Sequence, residues 1–117
     1  MKSSTKLGGV NVSVDAIASM VGAIVTECYG VVGMASRKFL KDGFAVLLRQ
    51  DNYSKGVVVK ETKEGLELEI YVIICYGVKI TEVVSEIQKK VKYQMGKSLD
   101  IEFAAINVFV QGVKVID

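Results

Sequence analysis

Residues 56–77 read GVVVKETKEGLELEIYVIICYG. The stretch opens with a run of valines that ends at Thr62. Lys63, Glu64 and Gly65 follow, a charged turn closed by glycine. After the turn, Leu66, Leu68 and Ile70 alternate with Glu67 and Glu69. Period-two alternation on both sides of a short polar turn predicts a β-hairpin. From Tyr71 onward the second strand is apolar at consecutive positions. A strand apolar on both faces is a central strand covered by other elements, so helices must come from elsewhere in the chain.

Downstream, Ile80, Val83, Val84, Ile87, Val91 and Met95 recur at three- and four-residue spacing, which predicts an amphipathic helix over 80–95 ended by Gly96. Glu82 and Glu86 near its start and Lys89, Lys90, Lys92 and Lys97 near its end complement the helix dipole. Ile106, Val108 and Val110 alternate with Asn107, Phe109 and Gln111, a last strand or two short ones around Gly112. Upstream, Val10, Val12 and Val14 read as a short strand. Ser13 suits an N-cap, and Ile17, Ala18, Val21, Ile24, Val25 and Cys28 form the stripe of a first helix closed by Gly30. Residues 35–50 suggest one or two short helical turns, and 51–56 a loop. The fold expected is α+β: a single mixed β-sheet with two main helices packed on one face, in the order β-α-(short helical segment)-β-β-α-β. Residues 1–7 read as a flexible N-terminus and 8–117 as one domain.

The chain has 117 residues, half of them hydrophobic, enough for one core without disulfides or metal. Its net charge is +2, which argues against a dedicated nucleic-acid protein. There is no histidine, so Ser/His/Asp and Cys/His catalysis are impossible within one chain. Cys28 and Cys75, far apart in apolar runs, read as core fillers in a reducing, cytoplasmic setting; two thiols alone do not make a zinc site. No catalytic residue, metal or cofactor is expected. A secretory leader fails because the segment after Lys6 is broken by Gly, Asn and Ser and ends in Asp15. A membrane span fails because Asp15 and Glu27 bracket too short an apolar run.

Gly30-Val-Val-Gly33 admits two readings. In K-homology domains a GXXG loop between helices approaches nucleic-acid phosphates, and Arg37, Lys38 and Lys41 follow at once. Against this, the loop itself carries no basic side chain. The favoured reading is a helix stop packed by Val31, Val32 and Met34. Lysines 89, 90, 92 and 97 could meet phosphates or acidic headgroups, but read first as a solvated helix face. Glu67 and Glu69 read as a solvent-facing edge rather than an acid/base pair. Tyr71, Tyr76 and Tyr93 fit interface anchors or core-edge residues equally.

Three linked features carry a resemblance: Tyr76-Gly77-Val78 before the second helix, VSEIQKKVK (84–92) within it, and INVFVQGV (106–113) at the end. With GGVNVSVDAIASMVGAIVTECYGVVGMA (8–35), they make the chain similar to the alkaline-shock, or envelope stress response, family of Gram-positive bacteria, over about residues 8–115. The resemblance implies a small cytoplasmic protein that is not an enzyme. It also implies self-association and a separate partner, either a membrane anchor or a kinase of the dihydroxyacetone or fatty-acid type. It supplies no catalytic residue. The expected function is therefore a self-associating structural or adaptor module near the envelope. Tyr71, Tyr76, Phe103 and Phe109 are the candidate self-association edge. Two other readings stand beside it: a nucleic-acid binder using Gly30, Gly33, Arg37, Lys38 and Lys41, and an accessory subunit of such a kinase.

Overall fold

The structure, a computed structural model, describes residues 4–7, 10–35 and 56–115. Its elements in order are β1 (Ser4–Leu7), β2 (Val10–Ser13), α1 (Val14–Thr26), β3 (Val31–Met34), β4 (Val57–Thr62), β5 (Gly65–Cys75), α2 (Ile80–Leu99) and β6 (Phe103–Lys114). This is the α+β class the hydropathy pattern predicts. Residues 36–55, which hold the expected short helical turns, lie outside the described residues.

β5 organises everything else. β4 pairs with it antiparallel across the hairpin, from Thr62↔Gly65 to Val57↔Ile70. Gly65 sits at φ +128°, which an L side chain adopts only under strain. Thr62 closes the turn: its hydroxyl donates to the Gly65 carbonyl (2.8 Å) and accepts from the Glu64 N–H (3.2 Å). β6 runs parallel along the other edge of β5, from Leu66 to Cys75, so the sheet is mixed. β3 pairs antiparallel with Val72–Ile74. A strand has two edges, and β6 occupies one of them throughout. β3 and β4 therefore share the second edge end to end, and the Ala35 N–H bond to the Tyr71 carbonyl (2.9 Å) continues the ladder between them.

Both helices cover one face. Leu66, Leu68, Ile70, Val72 and Ile74 from β5 meet Ile17, Val21 and Val25 of α1 and Val83, Ile87, Val91 and Met95 of α2 in one core. Ser13 caps α1 as expected, accepting from the Ala16 N–H at 3.0 Å. The Gln88 amide donates to the Ile106 carbonyl (2.8 Å) and ties α2 to β6.

Ser4–Leu7, a strand that the hydropathy pattern does not announce, pairs antiparallel with β2. Two expectations change. Val31–Met34, read as the packing of a helix stop, is a strand: α1 ends at Thr26 and the chain turns at Gly30 (φ +86°). Gly96 does not end α2, which continues to Leu99 and stops with Asp100 in the left-handed region. An internal glycine costs a helix about 1 kcal/mol. Burying Ile101, which the extra turn brings under the helix, contributes roughly 1.5–3 kcal/mol and outweighs it. The last segment is one strand, as the predicted order has it, with a register shift between Val110 and Gly112.

Candidate functional site

The residues singled out in the sequence go to three different places. Tyr71 and Phe109 stack on the face of the sheet opposite the helices, with ring centroids 5.1 Å apart and planes inclined by 17°. They face each other because β5 and β6 put them in register. Phe109 remains 42% exposed. Below them, Lys60 on β4 forms an ion pair with Glu69 (2.8 Å), which also accepts from the Tyr71 hydroxyl (2.9 Å). Glu69 is thus a structural partner, not the bare solvent-facing carboxylate the alternation suggests. Phe103 turns inward and packs against the core from the start of β6.

Tyr76 belongs to a second cluster. The tetrapeptide Cys-Tyr-Gly-Val occurs at 28–31 and again at 75–78. The two copies meet: the Cys75 N–H donates to the Gly30 carbonyl at 2.8 Å. In each, the glycine has positive φ (+86° for Gly30, +94° for Gly77) and the tyrosine before it projects into solvent. Tyr29 is 80% and Tyr76 71% exposed. Hydropathy periodicity does not register this pair, but the recurrence of four identical residues does. Beside it lies a cleft of about 240 Å³ with Cys28, Val78 and Val83 at its base, Tyr29 as a wall, and Lys79, Glu82, Glu86 and Lys90 around the rim. Two cations and two carboxylates give that rim no charge preference.

Cys28 is not poised as a nucleophile. Burial pushes its thiol up; Lys90 pulls the other way, and Glu86 and Glu27 reinforce the rise. Its Sγ contacts the Ile24 carbonyl (3.6 Å). The thiolate is the reactive species, so at mildly alkaline pH an aromatic disulfide reagent should label half-buried Cys75 before Cys28. Labelling of Cys28 should accelerate only as pH climbs past the ordinary thiol range. Mass spectrometry of partly labelled protein checks the order, and Cys28 reacting first would contradict the buried-thiol picture.

Gly30 and Gly33 do not form a loop between two helices. Gly33 is buried within β3 and pairs with Ile73. A Cβ on Gly30 would lie 2.8 Å from Val83 Cγ2, so that backbone is covered by α2 rather than open to a phosphate. Arg37, Lys38 and Lys41 lie outside the described residues. Among the described residues no group of three or more His, Cys, Asp or Glu side chains could hold a metal ion. Nor is any helix among them long and apolar enough to cross a membrane.

Among the described residues β6 presents the longest strand border without a sheet neighbour. It has twelve residues, and among the described residues its only sheet neighbour is β5. Its only charged residue is the last, Lys114. Val113, and Val115 just beyond it, are exposed.

Comparison with known proteins agrees with this architecture in length and extent. Residues 2–115 match the model of a family named for alkaline shock protein 23 and described as having a cell envelope-related function. The chain is 47% identical to the uncharacterized protein Spy1614 of Streptococcus pyogenes over 116 residues, which cover 99% of this chain and 96% of that protein. It is 40% identical to the uncharacterized protein YloU of Bacillus subtilis over 111 residues, 95% of this chain and 92% of the other. A more distant relative, YqhY of the same bacterium, is 24% identical over 110 residues, covering 94% and 80%. No solved structure matches significantly. With a family match along almost its whole length and two relatives at this identity, the chain belongs to the alkaline shock protein 23 family, whose function is related to the cell envelope.

Proposed function

We propose that this protein is a non-enzymatic, self-associating structural or adaptor module that works on the cytoplasmic side of the envelope. The observation that supports it is the free border of β6. A long strand edge with one neighbour and no internal charge is a template for another strand. Natural sheets usually protect such edges with Lys, Pro, a short strand or a covering helix; among the described residues β6 carries two register shifts, a terminal Lys114 and the Gln88 amide on the Ile106 carbonyl. A second copy adding to β6 would gain main-chain hydrogen bonds, and Phe109 would supply apolar contact beside them. The separate partner in this reading is a membrane-anchor or kinase-type protein, which a surface not used for self-pairing would meet.

Light scattering across a concentration series tests the first part. The wild-type chain should show a molar mass that rises with concentration. Phe109→Lys, which puts a charge beside the free edge, should stay monomeric at every concentration with an unchanged circular-dichroism spectrum. A wild-type chain that stays monomeric throughout would refute self-association.

A further inference from the structure

The solvent-facing side of α2 divides into two halves. Glu82 and Glu86 occupy the first; Lys89, Lys92, Tyr93, Gly96 and Lys97 occupy the second. The helix dipole accounts for Lys97, which lies in the last turn. Because α2 runs on to Leu99 rather than ending near Met95, Lys89 and Lys92 lie before its last turn, and the dipole no longer accounts for them. None of these three lysines forms a salt bridge among the described residues. Lys97 instead stands over the Tyr93 ring, 5.7 Å from its centroid. Tyr93 is 65% exposed.

Gly96 is the informative residue. Its backbone is ordinary helix, and a Cβ there would meet only the Ile101 carbonyl, at an unstrained 3.7 Å. Neither conformation nor packing calls for glycine, yet glycine weakens the helix. What the missing side chain does is keep the surface low. The result is a trough of about 510 Å³ between Tyr93 and Ile101, bordered by the three lysines and opposed by Glu102 alone. Lys89 and Lys92 also border a second hollow of about 250 Å³ over Phe103 and Ala104.

We propose that this half of α2 is a docking surface for anionic phospholipid. The lysines meet headgroup phosphates, Tyr93 lies at headgroup level, and the trough over Ile101 accepts the apolar edge of the lipid. The chemistry favours a lipid surface over a peptide. The backbone of α2 is satisfied within the helix, so an extended peptide would find no main-chain partner. A phosphate layer needs only mobile point charges, which lysine supplies. Contact through one helix face is distinct from spanning, and it does not depend on pairing through β6.

The test is co-sedimentation of the full chain with vesicles of phosphatidylglycerol in phosphatidylcholine, and of phosphatidylcholine alone, at low and high salt. Binding is expected only to the anionic vesicles, and it should fall steeply with salt. The double variant Lys89→Glu/Lys92→Glu should reduce partitioning about tenfold or more. Gly96→Leu fills the trough without changing charge and favours the helix, so it should also reduce binding while remaining folded. Lys63→Glu, in the distant hairpin turn, should bind as wild type, and so should monomeric Phe109→Lys. Equal binding to both vesicle types, no binding, or an equal loss in Lys63→Glu overturns the proposal. So does full competition by inorganic phosphate, or retention of a single-stranded RNA in place of vesicles.

Discussion

Gly30→Ala is expected to lower folding stability by about 3 kcal/mol, through a positive-φ penalty plus overpacking. Two independent requirements meet at this residue. Its φ of +86° is unfavourable for any L side chain, and a Cβ would sit 2.8 Å from Val83 Cγ2 and 3.4 Å from Val78 Cγ2. Val83 lies in the first turn of α2 and Val78 just before the helix, so relief of the clash means lifting the start of the helix from the turn that leads into β3. Gly77 offers the control. It has nearly the same conformation (φ +94°) but nothing within 4 Å of an added Cβ. Gly77→Ala should therefore lose only the conformational part, on the order of 1 kcal/mol. Urea denaturation measures both, as a fall in midpoint at constant slope. Equal losses would mean that contact with α2 contributes nothing.

A loss of similar size, about 2–5 kcal/mol, is expected for Ile87→Ala. Ile87 is fully buried in the core that α2 shares with α1 and the sheet, and truncation leaves a cavity there. Ile80 is the instructive comparison, because the repeat along α2 includes it on the same terms as Ile87. In the structure Ile80 is 49% exposed at the first residue of the helix and takes no part in the core. Ile80→Ala should change stability by no more than about 0.5 kcal/mol. The ratio of the two effects measures how much of the helix face is core. If the Ile80 variant lost as much as Ile87, α2 would have to sit closer to the sheet at its N-terminus.

The Ile80 example shows where sequence reading succeeds and where it stops. Periodicity identified the face of each helix and the central position of β5, because burial on one or both sides is written directly into residue order. It could not say how far along a helix the covering layer extends, since that depends on strands remote in sequence. β3 was hidden for a related reason. Four residues with a glycine in the middle carry no alternation, and their strand character comes from pairing with Val72–Ile74 some forty positions away. Gly96 misled because glycine after a periodic run usually means a stop; here burial of Ile101 beyond it decides the matter. For the surfaces, composition flagged Tyr71, Tyr76 and Phe109 singly. Only the register of β5 with β6 reveals that two of them stack while the third belongs with Tyr29. Glu69 read as solvent-facing because alternation knows nothing of Lys60 on the neighbouring strand.

The second edge of β5 has a consequence for how this family can vary. One continuous border is assembled from two pieces of chain, and the junction is tight: a Cβ on Gly56 would lie 2.8 Å from the Ala35 carbonyl. Ala35 and Gly56, the described residues on either side of that junction, therefore lie next to each other. Closing a longer or shorter connection across a fixed gap changes free energy only slowly with length. The sheet thus contains a port at which sequence can be lengthened, shortened or exchanged while the register on either side is held by β5. New recognition elements can be spliced into the scaffold there without redesigning its core.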